Sequence, residues 1–240
     1  GATDTINYEE VNVLEALKDN TVTRALRREL AMKVFQDTAR YDSLIAGYME
    51  KQVQSGAAKF PAILSLQYEL GEILRYGENP HQQGAFYRER QSTEPSVAHG
   101  KILHGKAMSY NNYLDANAAL ELAKEYDEIA VAIIKHNNPC GVALGTTSVE
   151  AYVKARETDP TSAFGGVIAF NRAVDLPAAK EITSTFVEVV VAAGMLTSSL
   201  GLRGIAHVPA PAGADLDRGL AARKARPGGF AAGSVFVARR

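Results

Sequence analysis

Lys135 and His136 stand side by side in this chain, followed by Asn137-Asn138-Pro139-Cys140-Gly141. An ammonium next to an imidazole can move a proton and steady a developing negative charge at one place. The same stretch offers a second chemistry, with Cys140 as a nucleophile and His136 as its base. A third would be zinc. A Pro-Cys pair after a strand fits a known zinc pattern, which needs another Cys shortly downstream and a His-x-Glu upstream. The chain has one cysteine and no His-x-Glu, so that site cannot be assembled. The plainest alternative is a solvated strand end. Adjacent strand residues face opposite ways, so Lys135 and His136 can serve one ligand only where the strand breaks into loop.

The elements around the pair follow from the neighbouring residues. Ile129-Ala130-Val131-Ala132-Ile133-Ile134 is an unbroken apolar run, short and rich in β-branched residues. It predicts a strand buried on both faces. Pro139 and Gly141 both end regular structure, so a loop is expected there. Thr147-Ser148-Val149-Glu150 reads as a helix start, with Thr147 at the cap. The Lys-His pair is thus expected at the carboxyl end of a core strand, the edge where open α/β sheets bind ligands.

A second polar cluster lies upstream, in Leu74-Arg75-Tyr76-Gly77-Glu78-Asn79-Pro80-His81-Gln82. It is too polar for a core, and Arg75 has the forked geometry that suits a phosphate or carboxylate. A turn with a surface arginine is the competing interpretation.

The rest of the chain supplies the frame. Residues 5 to 55 read as helical, with Thr21 or Thr23 as a cap and Gly56 as a terminator. Leu64 to Leu70 alternates like a strand, and Val97 to Leu103 reads as another. A helix is expected to run through Tyr126, with Asn111 or Asn112 capping it. Gly165-Gly166 precedes the apolar strand Val167 to Phe170 and permits close backbone approach to a ligand. Asp175 and Pro177 open a short helix, and Val187 to Val191 reads as a strand. Strands and helices alternating at this spacing predict a parallel α/β sheet. From Gly194 onward the text is rich in Gly, Ala, Pro and Arg, which predicts loop or disorder.

Composition narrows the class. The chain has 240 residues, 46% hydrophobic and 22% charged, as in an ordinary globular protein. A net charge of −1 with no basic block gives no electrostatic support to nucleic-acid binding. No apolar stretch reaches membrane-spanning length. One cysteine excludes an internal disulfide and fits a reducing cytosol. The first residue is Gly1 rather than Met, so the chain is expected to begin inside a longer one.

Four motifs together go beyond such patterns: LRYGENPHQ at Leu74 to Gln82, SYNNYLDANAAL at Ser109 to Leu120, KHNNPCGVA at Lys135 to Ala143, and TDPTSAFGGVIAFNR at Thr158 to Arg172. With FVEVVVA at Phe186 to Ala192, they resemble the bifunctional family of purine biosynthesis that combines AICAR transformylase with IMP cyclohydrolase. The resemblance runs from about Arg24 to Ala192. It implies an α/β fold: a three-layer, cytidine-deaminase-like first half of the transformylase over residues 61–193. Residues 1–60 would be the helical end of the cyclohydrolase domain and its connection. Residues 194–240 would be a low-complexity tail, of the composition that a GC-rich gene gives when read out of frame. Without the missing half the fragment is expected to be inactive.

The resemblance also implies roles. Lys135 and His136 match the catalytic pair, and Arg75 and Tyr76 match binders of the AICAR nucleotide. Asn112 matches a substrate-contacting asparagine. Phe164 and Gly165 match the pair lining the substrate pocket, and Glu188 an acidic residue near the AICAR carboxamide. The implied cosubstrate is 10-formyltetrahydrofolate, with no catalytic metal. A cytoplasmic homodimer with no nucleic-acid or membrane partner is also implied. The rival is a non-catalytic remnant that only binds nucleotide or dimerises.

Overall fold

The computed structural model describes residues 8–53, 60–90, 95–103, 107–192, 206–207 and 234–239. The chain divides into two compact units, Gly1–Gln67 and Tyr68–Arg240.

Residues 8–53 of the first unit are mostly helical, as expected. Helix α1 spans Tyr8–Lys18 and α2 spans Arg24–Val53. Thr23 caps α2, its hydroxyl accepting from the Leu26 amide at 3.1 Å, which settles one orphan donor of the first turn. No residue of α2 is buried, and Phe35 is 73% exposed. The expected terminator, Gly56, lies outside the described residues.

The second unit opens with an antiparallel hairpin of β1 (Glu69–Leu74) and β2 (Gln83–Arg88). The strand expected over Leu64–Leu70 therefore starts later. Leu64 and Leu66 are exposed, and cross-strand pairing with Arg88 begins only at Glu69. Alternation without a partner strand does not make a strand. Val97–Leu103 is likewise mostly not a strand. Val97–His99 forms a 3-10 turn, and only β3, Lys101–Ile102, is extended. The His99 ring bridges Ser96 Oγ (3.0 Å) and the Glu89 carbonyl (2.9 Å), which folds this segment back on itself.

Helix α3 runs from Tyr110 to Lys124. Its cap is Ser109, not Asn111 or Asn112. Asn112 sits at the third helical position and supplies the other half of a reciprocal capping box: Ser109 Oγ accepts from the Asn112 amide, while Asn112 Oδ1 accepts from the Ser109 amide.

Then come β4 (Ile129–Lys135), β5 (Asn138–Gly145), α4 (Ser148–Thr158), α5 (Pro160–Ala163), β6 (Val167–Phe170), α6 (Leu176–Ile182) and β7 (Val189–Ala192). Thr147 caps α4, its side chain accepting from the Glu150 amide, and Asp175 caps α6 in the same way from Ala178. The four strands form one sheet in the order β5-β4-β6-β7.

This sheet is not the all-parallel one expected. β4 runs antiparallel to both β5 and β6, and only β6 and β7 are parallel neighbours. The reason is local. Residues 136 and 137 form a tight turn, so the chain doubles straight back as β5 instead of entering a loop. The helical crossovers then carry it from β5 to β6 and from β6 to β7, all three running the same way. β4 is the one reversed strand, inserted between β5 and β6. Pro139 is tolerated because β5 is an edge strand, where a missing N–H costs no ladder bond on the open side.

Both faces of the sheet are covered. Ala132, Ile134, Val167 and Val191 pack with α3 residues such as Tyr113 and Leu120. Val131, Ile133, Ile168 and Val190 pack on the opposite face with Tyr152 of α4 and Ile182 of α6. Residues 130–134 are all buried, as a two-faced apolar run requires. Each Val or Ile so buried is worth about 1.5–3 kcal/mol relative to exposure.

Two short strands come from the segment that composition marks as irregular. β8 (Ala206–His207) pairs with β3, and β9 (Ser234–Arg239) pairs with β2. The sequence SVFVAR of β9 alternates β-branched and aromatic residues, a local strand signal that the Gly-, Ala- and Arg-rich background masked. The remainder of 193–240 lies outside the described residues.

Candidate functional site

The reversed strand brings three strand ends together. Ile134 pairs with Val167, and Val167 pairs with Val189. The carboxyl end of β4 therefore lies beside the amino ends of β6 and β7, with the first turns of α3 close by. Sequence alone foresaw the β4 end but not that β6 and β7 would start there.

At this edge the chain turns through His136 (φ 52°) and Asn137 (φ 60°), between the paired residues Lys135 and Asn138. Positive φ at both central residues is what a two-residue primed type I hairpin needs. Asn and His enter that region more readily than other non-glycine residues, but still at a cost. Two side-chain bonds hold the turn. Asp115 Oδ1 accepts from the Asn137 amide at 2.7 Å, and Asn138 Nδ2 donates to the His136 carbonyl at 2.8 Å. His136 is exposed, and Lys135 is half-buried.

The Lys135 ammonium donates to the Phe164 carbonyl at 2.5 Å. Gly165 follows at φ 69°, its amide donating to the Phe186 carbonyl at 2.8 Å. A Cβ there would stand 3.4 Å from the Phe186 ring and 3.8 Å from Lys135 Nζ. Glycine is thus required both by backbone conformation and by close approach. The Phe164 and Phe186 rings meet at 5.7 Å, tilted 48°, and both are more than half exposed. At the start of β7, Glu188 Oε2 accepts from Asn112 Nδ2 at 2.8 Å.

Lys135, His136, Asn112, Phe164, Gly165 and Glu188 are thereby gathered at one edge of the sheet. Arg75 and Tyr76 stand apart, on the loop between β1 and β2. That loop is closed by Gly77 N to Gln82 O (2.8 Å), and the Arg75 guanidinium lies 5.8 Å from the Tyr76 ring centre. It approaches the amino end of α3 through Asn111 Nδ2, 3.5 Å from the Glu78 carbonyl. Two further residues belong to the edge and escaped the sequence: Asp115 and Phe186. Asp115 lies three positions after Asn112 on one helix, so the two share a face, a signal visible once α3 is assigned.

Cys140 takes a different part. Ile133 faces Gly141 and Ile134 faces Pro139, leaving Cys140 as the extra residue of a β-bulge. Burial pushes its thiol up, and the Asp159 carboxylate adds to that, while Lys135 offsets part of it. A thiol held protonated is a poor nucleophile, which weighs against the Cys-His alternative. Among the described residues, no three His, Cys, Asp or Glu side chains gather as a metal site would require.

A mixed α/β unit with a Lys-His turn at its sheet edge matches one family model, described as the AICARFT/IMPCHase bienzyme, over residues 2–202. The chain belongs to this family. The match extends the resemblance at both ends, upstream of Arg24 and beyond Ala192. Among its relatives is a bifunctional purine biosynthesis protein PurH of Anaeromyxobacter sp. (strain Fw109-5), 50% identical over 198 residues, covering 80% of this chain and 37% of the relative. Proteins of the same name from Oceanobacillus iheyensis and Acetivibrio thermocellus are 45% and 47% identical, each over 78% of this chain and 36% of the relative. The chain thus spans a little over a third of the length of these relatives.

Proposed function

We propose that the sheet edge around Lys135 and His136 serves formyl transfer from 10-formyltetrahydrofolate to the 5-amino group of AICAR, giving FAICAR in de novo purine biosynthesis. The full-length protein would also carry IMP cyclohydrolase activity. The observation that carries this reading is the convergence at one edge of Lys135, His136, Phe164, Gly165, Asn112 and Glu188, in a chain of this family.

The chemistry fits the groups. The AICAR amine is deactivated by its ring and the neighbouring carboxamide, so it needs a base as it attacks. The His136 imidazole takes the amine proton while the nitrogen bonds to the formyl carbon. The Lys135 ammonium stabilises the oxyanion of the tetrahedral intermediate, which collapses as the bond from the formyl carbon to the tetrahydrofolate nitrogen breaks and that nitrogen takes the proton His136 had removed. The tight turn supports this division, because it puts the two side chains at the place where strand alternation ends. Arg75 binds the AICAR phosphate with Tyr76 beside it. Phe164 and Gly165 line the substrate pocket, and Asn112 and Glu188 receive the ring substituents. No catalytic metal takes part.

The same reading makes residues 61–193 the first half of a three-layer, cytidine-deaminase-like transformylase domain. Helices on both faces of the β5-β4-β6-β7 sheet agree with that layering. Residues 1–60 close the cyclohydrolase domain, and the protein acts as a cytoplasmic homodimer.

The test is His136→Ala in the full-length protein. Formyl transfer should fall by about 10²–10⁴-fold, with AICAR binding largely kept. Arg75→Ala should instead raise the Michaelis constant for AICAR with less effect on saturated turnover. Near-normal turnover of His136→Ala would refute the base assignment.

A further inference from the structure

We infer that Asp115 is a positioning residue for the Lys135-His136 pair: its carboxylate holds the turn in the strained backbone conformation that presents both side chains at the sheet edge. The inference rests on the formyl-transfer reading for its kinetic part only.

Three observations lead there. First, His136 and Asn137 both have positive φ, and neither is glycine. Such residues are strained relative to ordinary backbone, though less so for His and Asn than for most side chains, and strain of this kind persists only where surrounding contacts over-determine it. Second, the contact that does so from outside the hairpin is known. The Asn137 amide donates to Asp115 Oδ1 at 2.7 Å, from a helix 22 positions earlier. A backbone N–H donating to a carboxylate is a charge-assisted bond, stronger than a neutral one. Third, the helix that brings Asp115 is itself fixed at the same edge. Its Ser109–Asn112 capping box locks the first turn, and Asn112 bonds Glu188 at the start of β7. One face of α3 therefore grips the end of β4 through Asp115 and the start of β7 through Asn112.

Asp115 is not a catalytic residue on this account. It acts through the backbone of Asn137, and its loss lets the turn relax. A misplacement near 1 Å can cost on the order of 10²-fold in rate, so saturated turnover rather than substrate affinity should suffer.

The experiment combines a conformational and a kinetic arm. In the first, hydrogen exchange at the Asn137 amide is followed by NMR in this chain and in Asp115→Ala. Strong protection should be lost in the variant while the amides of Val131 and Ile168 stay protected. In the second, formyl transfer is measured on the full-length protein. Asp115→Ala should lower kcat by about 10–100-fold and leave the AICAR KM within about 3-fold. Asp115→Asn keeps an acceptor oxygen and should retain most of the rate. The decisive variant adds Asn137→Gly to Asp115→Ala. Glycine adopts positive φ without strain, so it should restore much of kcat if the bond serves only to hold the turn. Unchanged Asn137 exchange, unchanged kcat in Asp115→Ala, or no rescue by Asn137→Gly would each overturn the inference. A wild-type full-length protein without formyl transfer would instead overturn the functional reading, and the exchange arm would still decide whether Asp115 holds the turn.

Discussion

At the scale of single residues, Gly165 sets a limit on the site that can be measured. Its φ of 69° and the Phe186 ring, 3.4 Å from where a Cβ would stand, leave no unstrained place for alanine. Gly165→Ala should destabilise the second unit by about 1–2 kcal/mol, read from the shift of a urea midpoint at constant slope. It should also disturb the neighbouring Lys135 bond to Phe164, so turnover in the full-length protein should fall more than stability does. An alanine variant as stable as the parent would mean that the backbone there relaxes freely. Lys135 and His136 were legible because two proton-handling side chains end an apolar run. Asp115 was not, because a carboxylate on an amphipathic helix looks like any solvated residue until its partner, a backbone amide 22 positions on, is known.

At the scale of elements, side chains that tie one strand or helix to another carry the energetics. Asn171 is 5% exposed and satisfies three backbone groups: it donates to the carbonyls of Tyr126 and Glu128 and accepts from the amide of Ala130. It thereby fixes the start of β4 to the end of β6. Asn171→Ala strands those groups and should cost about 2–3 kcal/mol, measured by chemical unfolding. The amino end of α4 adds a pH dependence. Hydrogen bonds from Lys154 and Thr146 pull the Glu150 carboxyl from its ordinary 4.5 down to about 2. A depressed carboxylate pKa stabilises the fold above 4.5, and that contribution is lost as pH falls from 4.5 toward 2. Glu150→Gln should therefore flatten the stability profile in that window; an identical profile would remove Glu150 from the account. β4, α4, β6 and α6 were legible from apolar runs and caps. β5 was not, because Pro139 and Gly141 look like breakers. Their meaning is positional: Pro139 lies on a sheet edge, and Gly141 faces α4 so closely that a Cβ would overlap the Ala155 carbonyl oxygen. The direction of β4 was hidden for the same reason, since it follows from a turn too short to announce itself.

At the scale of the whole molecule, the two units should differ in protection. α2 buries none of its residues, whereas β4 and β6 are buried on both faces. Native-state hydrogen exchange should find the slowest amides in β4 and β6 and far faster exchange along α2. Equal protection in both would show that α2 is held by contacts beyond those of its own unit. The Asn112–Glu188 bond closes the site across 76 positions of chain, and this separation gives the site a history during synthesis. α3, β4 and the Lys-His hairpin are made first and can pair locally. Glu188 follows His136 by 52 residues, which at about 5–20 residues per second is a delay of roughly 3–10 s. The nascent chain thus carries Lys135 and His136 before Glu188, which bonds Asn112 at the same edge, has been made. Docking of β7 is the event that then brings Glu188 to Asn112 at the edge beside the hairpin.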